Sequence, residues 1–207
     1  MYKFAFVLLC IAAPSLLSQK IKGDDLNVYV TDASSLFASN VSDFNNIDLA
    51  NLRAVFIEPG GKRGQWQALK HGKGKTVDIN RHGVFEGATD VILAWQQQLD
   101  ATHWLAAYDW ECVGGSSSHS QVVQVLQVRD GKVFITQQIE AYTHHGGRAA
   151  GAVLNKEKNT LTVRAVELNS PKGRCCPTYI NVVAFSWTGS RFRRVSSRQV
   201  PIPSYEE

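Results

Sequence analysis

The segment KGRCCPTYI sets two cysteines, Cys175 and Cys176, side by side in a chain that has four. Redox exchange or zinc capture by cysteine needs a spacer that turns two sulfurs toward one point. Here there is none. Adjacent side chains of an extended chain point to opposite sides, so the doublet is badly placed to grip one metal ion, and a disulfide within it would strain the peptide between. Histidine offers no better pattern. His71, His82, His103, His119, His144 and His145 form neither HxH nor HExxH. His144-His145 runs into Gly146-Gly147-Arg148 and reads as a solvated loop. Ser118 stands beside His119 in GGSSSHS, but the closing glycine of a nucleophile elbow is missing. Asp109 and Glu111 flank Trp110 and read as a solvated strand face. No calcium loop, metal-ligand spacing or cofactor fingerprint is present. A hydrolase or metal enzyme built on His119, His144 and His145 is therefore the weakest functional reading.

Two basic stretches carry the remaining chemistry. KRGQWQALKHGKGK contributes Lys62, Arg63, Lys73 and Lys75 around Trp66, and RFRRVSSR contributes Arg191, Arg193, Arg194 and Arg198. Cations clustered beside aromatics can hold phosphates, sulfated glycans or lipid headgroups. The same residues also guard exposed strand edges against pairing. A formal net charge of +4 and a pI near 8.9 permit an anionic envelope or extracellular polymer as partner without demanding one. No nucleic-acid motif accompanies them.

The N-terminus sets the compartment in which these groups would act. MYKFAFVLLCIAAPSLLSQK has a basic start at Lys3, an apolar run from Phe4 to Ala13, then small and polar residues. That order is a secretory signal peptide, residues 1–19, with cleavage falling within 15–19. The run is short of the roughly 20 apolar residues that span a bilayer, and no later segment is apolar enough. Cys10 lies inside the run, behind Leu8 and Leu9, and lacks the small residues of a lipobox. Export places Cys112, Cys175 and Cys176 in an oxidising compartment, where an odd number of cysteines leaves one unpaired within the chain. The economical reading is a bridge from Cys112 to one member of the doublet, with the other sulfur buried. Closing that loop contributes roughly 4 kcal/mol by chain entropy if the geometry is unstrained.

The elements that position all this are strands. Residues 20–50 are rich in Asp, Asn and Ser and read as a polar lead-in with one short strand, Leu26 to Val30, and a helical turn at Ser34 to Ser39. Residues 51–207 read as a β-rich domain. LRAVFIEPGGKRGQWQAL is a hairpin with a longer loop. TDVILAWQQQL could be capped as a helix but alternates as a strand. WLAAYDW places Trp104, Ala106, Tyr108 and Trp110 on one side. Asp130-Gly131 between two apolar runs is the strongest hairpin signal, and Val133, Ile135 and Ile139 are expected on one face after it. Leu161, Val163 and Ala165 alternate, as do Val183, Phe185 and Trp187. Ile47 to Phe56 and Leu99 to Tyr108 echo one another faintly, sharing an aspartate at the second position, a later alanine and a closing aromatic. The expected fold is all-β, with antiparallel hairpins forming a sandwich or propeller-like assembly and little helix after the signal peptide.

In this order, Asp100, Cys112 with Gly114-Gly115, Cys175-Cys176-Pro177 and Trp187-Thr188-Gly189-Ser190-Arg191-Phe192 resemble the small exported bacterial domains of the LppP/LprE lipoprotein type. The likeness covers roughly the second half of the chain. It implies an extracytoplasmic β-rich domain with a structural cysteine pair and no catalytic residues. The missing lipobox departs from the type and leaves membrane anchoring unsupported. The leading expectation is thus a secreted or periplasmic, non-catalytic binding or envelope-associated module, and the second a polyanion-binding module using residues 62–75 and 191–198.

Overall fold

A computed structural model describes residues 26–40, 47–51, 53–57, 64–79, 85–113, 119–143, 150–166 and 177–202. Among them there is no α-helix. The strands are β1 (Val28–Asn40), β2 (Arg53–Ile57), β3 (Gly64–Ala68), β4 (Lys73–Ile79), β5 (Phe85–Gln98), β6 (His103–Val113), β7 (His119–Arg129), β8 (Lys132–Tyr142), β9 (Gly151–Asn155), β10 (Thr160–Val166), β11 (Tyr179–Trp187) and β12 (Phe192–Pro201). Every pairing is antiparallel. A six-stranded sheet runs β1-β8-β7-β6-β5-β4, a four-stranded sheet runs β12-β11-β10-β9, and β2-β3 is a separate hairpin. That hairpin touches β1 through β2 and β4 through β3, bridging the two edges of the large sheet.

Turn chemistry explains much of the meander. Asp130 and Gly131 have φ of 50° and 72° between the paired residues Arg129 and Lys132, as a two-residue turn with positive φ at both positions requires. His71 and Gly72, at 51° and 76°, do the same between Lys70 and Lys73. The two echoing segments share a local device. Asp48 accepts a hydrogen bond from the Ala50 N–H, and Asp100 accepts from Thr102 and His103. Both aspartates therefore close a side-chain-to-backbone turn.

The central strands are buried on both sides. Trp104, Ala106, Tyr108 and Trp110 face one cluster with Val122, Leu126, Val133 and Ile135, and that cluster also takes in Ile47, Leu49 and Leu69. Leu105, Ala107, Val123 and Val125 face a second cluster, shared with Leu161, Val163, Ala165, Val183, Phe185 and Phe192 of the small sheet. The fold is thus sheet packed on sheet. The period-two expectations for β6, β10 and β11 hold. The expectation for β8 fails in one respect. Val133 and Ile135 belong to the first cluster, whereas Ile139 belongs to the second. Thr136 is an unpaired extra residue between Ile135 (opposite Leu126) and Gln137 (opposite Val125), and a bulge inverts the alternation beyond it.

The lead-in also differs from expectation. β1 extends from Val28 to Asn40 and pairs with β8 from both ends, with register shifts between Asp32 and Leu36 and between Phe37 and Ser39, and Ser34 to Ser39 are strand rather than helical turn. The pairing satisfies the backbone of a segment whose composition alone disfavours a strand.

Side-chain amides tie the small sheet to the large sheet and to the residues just before β1, and each strand of the small sheet takes part in one such contact. The Gln121 Oε1 accepts from the Ala152 N–H of β9. Asn27 Nδ2 donates to the Val166 carbonyl of β10 at 2.8 Å. Asn181 Nδ2 of β11 donates to the Leu26 carbonyl at 3.0 Å. Gln137 bonds both backbone groups of Phe192 in β12, donating to its carbonyl at 3.0 Å and accepting from its N–H at 2.8 Å.

Candidate functional site

The second basic stretch does not act as one patch. Its strand carries a register shift opposite Ala184 and Phe185, with Val195 left unpaired. Arg193 and Arg198 therefore stand opposite Ser186 and Val182, on the face turned away from the large sheet. Arg194 stands opposite Phe185, on the other face. Arg191 lies in the β11–β12 turn, where Nη1 is 3.3 Å from Oδ2 of Asp32 on β1. Both partners are largely solvated, so this pair ties the turn to β1 weakly.

A residue outside the basic stretches completes the outer face. Arg164 of β10 is in register with Val182 from one side, and Arg198 of β12 is in register with it from the other. The two arginines flank one valine across three strands, about 10 Å apart at their Cα atoms by the usual strand spacing. They line a solvent-facing depression of about 700 Å³. The cross-strand row Thr162, Ala184 and Ser196 lies on one side of the arginine row, and Ile180 and Val200 lie on the other. None of the described lining residues is acidic. Guanidinium groups bind oxyanions bidentately and remain charged at any working pH. The depression can therefore hold a sulfate, phosphate or carboxylate group.

Of the first basic stretch, Lys73 is exposed at the start of β4. Lys75 follows in β4 opposite Asp90, and Lys62 and Arg63 lie outside the described residues. β4 belongs to the large sheet, so this stretch and the arginine face are on different sheets. Cys112 stands in β6 opposite Thr89. Its side chain, like Cys175 and Cys176, lies outside the described residues. His119 opens β7 opposite Glu111, and His144 and His145 lie outside the described residues. Among the described residues no group of three His, Cys, Asp or Glu could hold a metal ion, and no helix is long and apolar enough to cross a membrane.

One His–Asp pair is present that the sequence pattern did not single out. His103 is buried, and its Nδ1 lies 2.9 Å from Asp100 Oδ1. Partial burial alone would raise the Asp100 carboxyl. The hydrogen bonds from Thr102 and His103, with the charge of the His103 ring, outweigh it and hold the group below its usual range. A His–Asp pair can serve a nucleophile, but this ring packs edge-to-face on Trp187 at 5.2 Å, and Trp187 lies 5.1 Å from Phe192. The arrangement clamps the β5–β6 turn onto the small sheet. A second carboxyl, Glu140, is raised by burial, an effect that its hydrogen bond with Ser120 opposes. Burial likewise pushes the Tyr108 phenol above its ordinary range. Comparison with family models, curated proteins and solved structures gives no match.

Proposed function

We propose that this protein is an exported, non-catalytic binding module that holds an anionic envelope or extracellular polymer on the outer face of its four-stranded sheet. The observation that carries the reading is the placement of Arg164 and Arg198 on either side of Val182, in a depression with no acid among its described lining residues. Export rests on the N-terminal pattern of residues 1–19. The likeness to the LppP/LprE type is part of this proposal; three of its matching positions, Asp100, Trp187 and Phe192, lie in one packed cluster around His103. A bridge between Cys112 and one of Cys175 and Cys176 belongs to the same proposal. β6 runs toward the end of the molecule where Leu26 and Asn27 bond Asn181 and Val166, and β11 starts there.

Retention on immobilised heparin tests the binding reading. The wild-type chain should elute at a salt concentration that falls for Arg164→Glu and falls further for Arg164→Glu with Arg198→Glu, because screened contacts between charges weaken with ionic strength. Retention that ignores salt, or that survives the double charge reversal, would overturn it.

A further inference from the structure

The outer face of a one-sided antiparallel sheet is ordinarily polar. This one is mixed. Beside the polar Thr162, Ser196 and the two arginines its floor has an aliphatic part: Val182 separates the arginines, Ala184 lies two residues after it between Thr162 and Ser196, and Ile180, largely buried, and Val200 form the row on the other side. At the β9 edge of the same face, Val153 lies opposite Thr162 and is 56% exposed. A site built only for charge would not need this floor, since guanidinium groups bind oxyanions from a polar surface equally well. The order of the rows also has a direction. Hydroxyls of Thr162 and Ser196 lie on one side of the arginine row, and the aliphatic pair Ile180 and Val200 lies on the other.

We propose that the depression binds a single amphiphilic anion, an alkyl chain ending in a sulfate, phosphate or carboxylate. The head group sits between Arg164 and Arg198 within reach of the hydroxyl row, and the chain runs the other way over Ile180 and Val200. This rests on the arginine pair of the anion-binding reading above and gives that pair a small amphiphile as ligand in place of a polymer. The occupant is one soluble molecule rather than a bilayer, because a bilayer contact requires a continuous apolar surface that enters the headgroup layer, whereas here the apolar residues are interrupted by Arg164, Arg198, Thr162 and Ser196 in a shallow depression.

The test is calorimetric titration of the full chain with methyl, butyl and hexyl sulfate below their aggregation concentrations, alongside heparin retention. Affinity should rise about twofold per methylene, which is about half the free energy of full burial, as suits a chain covered on one side. From methyl to hexyl this amounts to about thirtyfold. Val182→Thr with Val200→Thr keeps the strand's branched shape and should flatten the series while leaving heparin retention in place. Arg164→Ala with Arg198→Ala should abolish both. Hexyl sulfate binding no more tightly than methyl sulfate, with heparin still retained, overturns the amphiphile and leaves the anion site standing. A wild-type chain that neither binds hexyl sulfate nor is retained on heparin overturns the two readings together. Co-flotation with vesicles of mixed phosphatidylcholine and phosphatidylglycerol that hexyl sulfate does not displace also overturns the single-molecule ligand. The chain-length series needs no variant, so a misfolded mutant cannot shield the proposal.

Discussion

Burial holds the Glu140 carboxyl above its ordinary range, so the folded chain binds that proton more tightly than the unfolded chain does. The contribution of Glu140 to stability is then fully present below the unfolded value, near 4.5, and is lost as pH rises through the raised folded value. Glu140→Gln keeps a hydrogen-bonding group for Ser120 without the charge. It should melt higher than wild type at neutral pH, by about 2–4 °C for each kcal/mol recovered, and should lack the wild-type decline between acid and neutral pH in melts followed by circular dichroism. Asp100 has the opposite sign. Its lowered carboxyl contributes stability above the unfolded value, near 3.8, and loses it as pH falls through the folded value. The group is well solvated, so Asp100→Asn should cost under about 1 kcal/mol at neutral pH and should blunt the acid limb of the same melts. Neither environment could be read from the sequence. Glu140 sits in QQIEAY, where an acid beside glutamines looks solvated, and only the strands packed around it bury it. Arg164 was hidden differently. It is an isolated cation in LTVRAVE, and its meeting with Arg198 depends on the cross-strand register with Val182.

At the level of elements, legibility followed turn chemistry. Asp130-Gly131 announced its hairpin because few residues tolerate positive φ. Gly131→Val should therefore cost about 1–2 kcal/mol, measurable by urea unfolding. His71-Gly72 makes the same kind of turn inside a lysine-rich stretch whose charge drew attention away from it. β1 was legible only at its first residues. Asp and Ser carry little strand propensity, and it is β8 that holds this segment extended. The Thr136 bulge left no sequence signal either, since QQ after an apolar run fits both faces. Gln137, just beyond it, gives the element-scale prediction. Gln137→Ala should destabilise by about 2–4 kcal/mol in urea unfolding, because it strands both buried backbone groups of Phe192, each costing about 1–3 kcal/mol when unpaired.

For the whole molecule, the all-β class followed from period-two patterning, but the choice of packed sheets over a propeller followed from which strands share a core. Leu105 and Phe185 lie far apart in sequence and belong to one cluster, which no local pattern encodes. The cysteines bear on the same scale. Cys112 belongs to the large sheet, and the doublet precedes β11 of the small one, so the proposed bridge would lock the sandwich covalently. Peptide mapping under non-reducing conditions should recover Cys112 joined to Cys175 or Cys176. Cys112→Ser should then lower stability by roughly 4 kcal/mol. Recovery of all three as alkylated thiols from unreduced protein would remove the bridge.

The amide contacts between the sheets have a kinetic consequence. Asn27 bonds a partner 139 residues further along the chain, and Leu26 bonds one 155 residues further along. Hairpins such as β7-β8 and β11-β12 close locally and can form early, whereas contacts of such separation must wait for loop closure. The residues around Leu26 are thus made well before the partners that complete them. β1 can pair with β8 once Tyr142 has been made, and Asn27 can bond Val166 somewhat later, but the Leu26 carbonyl waits for Asn181. Under the export proposed above, that order would keep the sandwich from locking until most of its length has arrived.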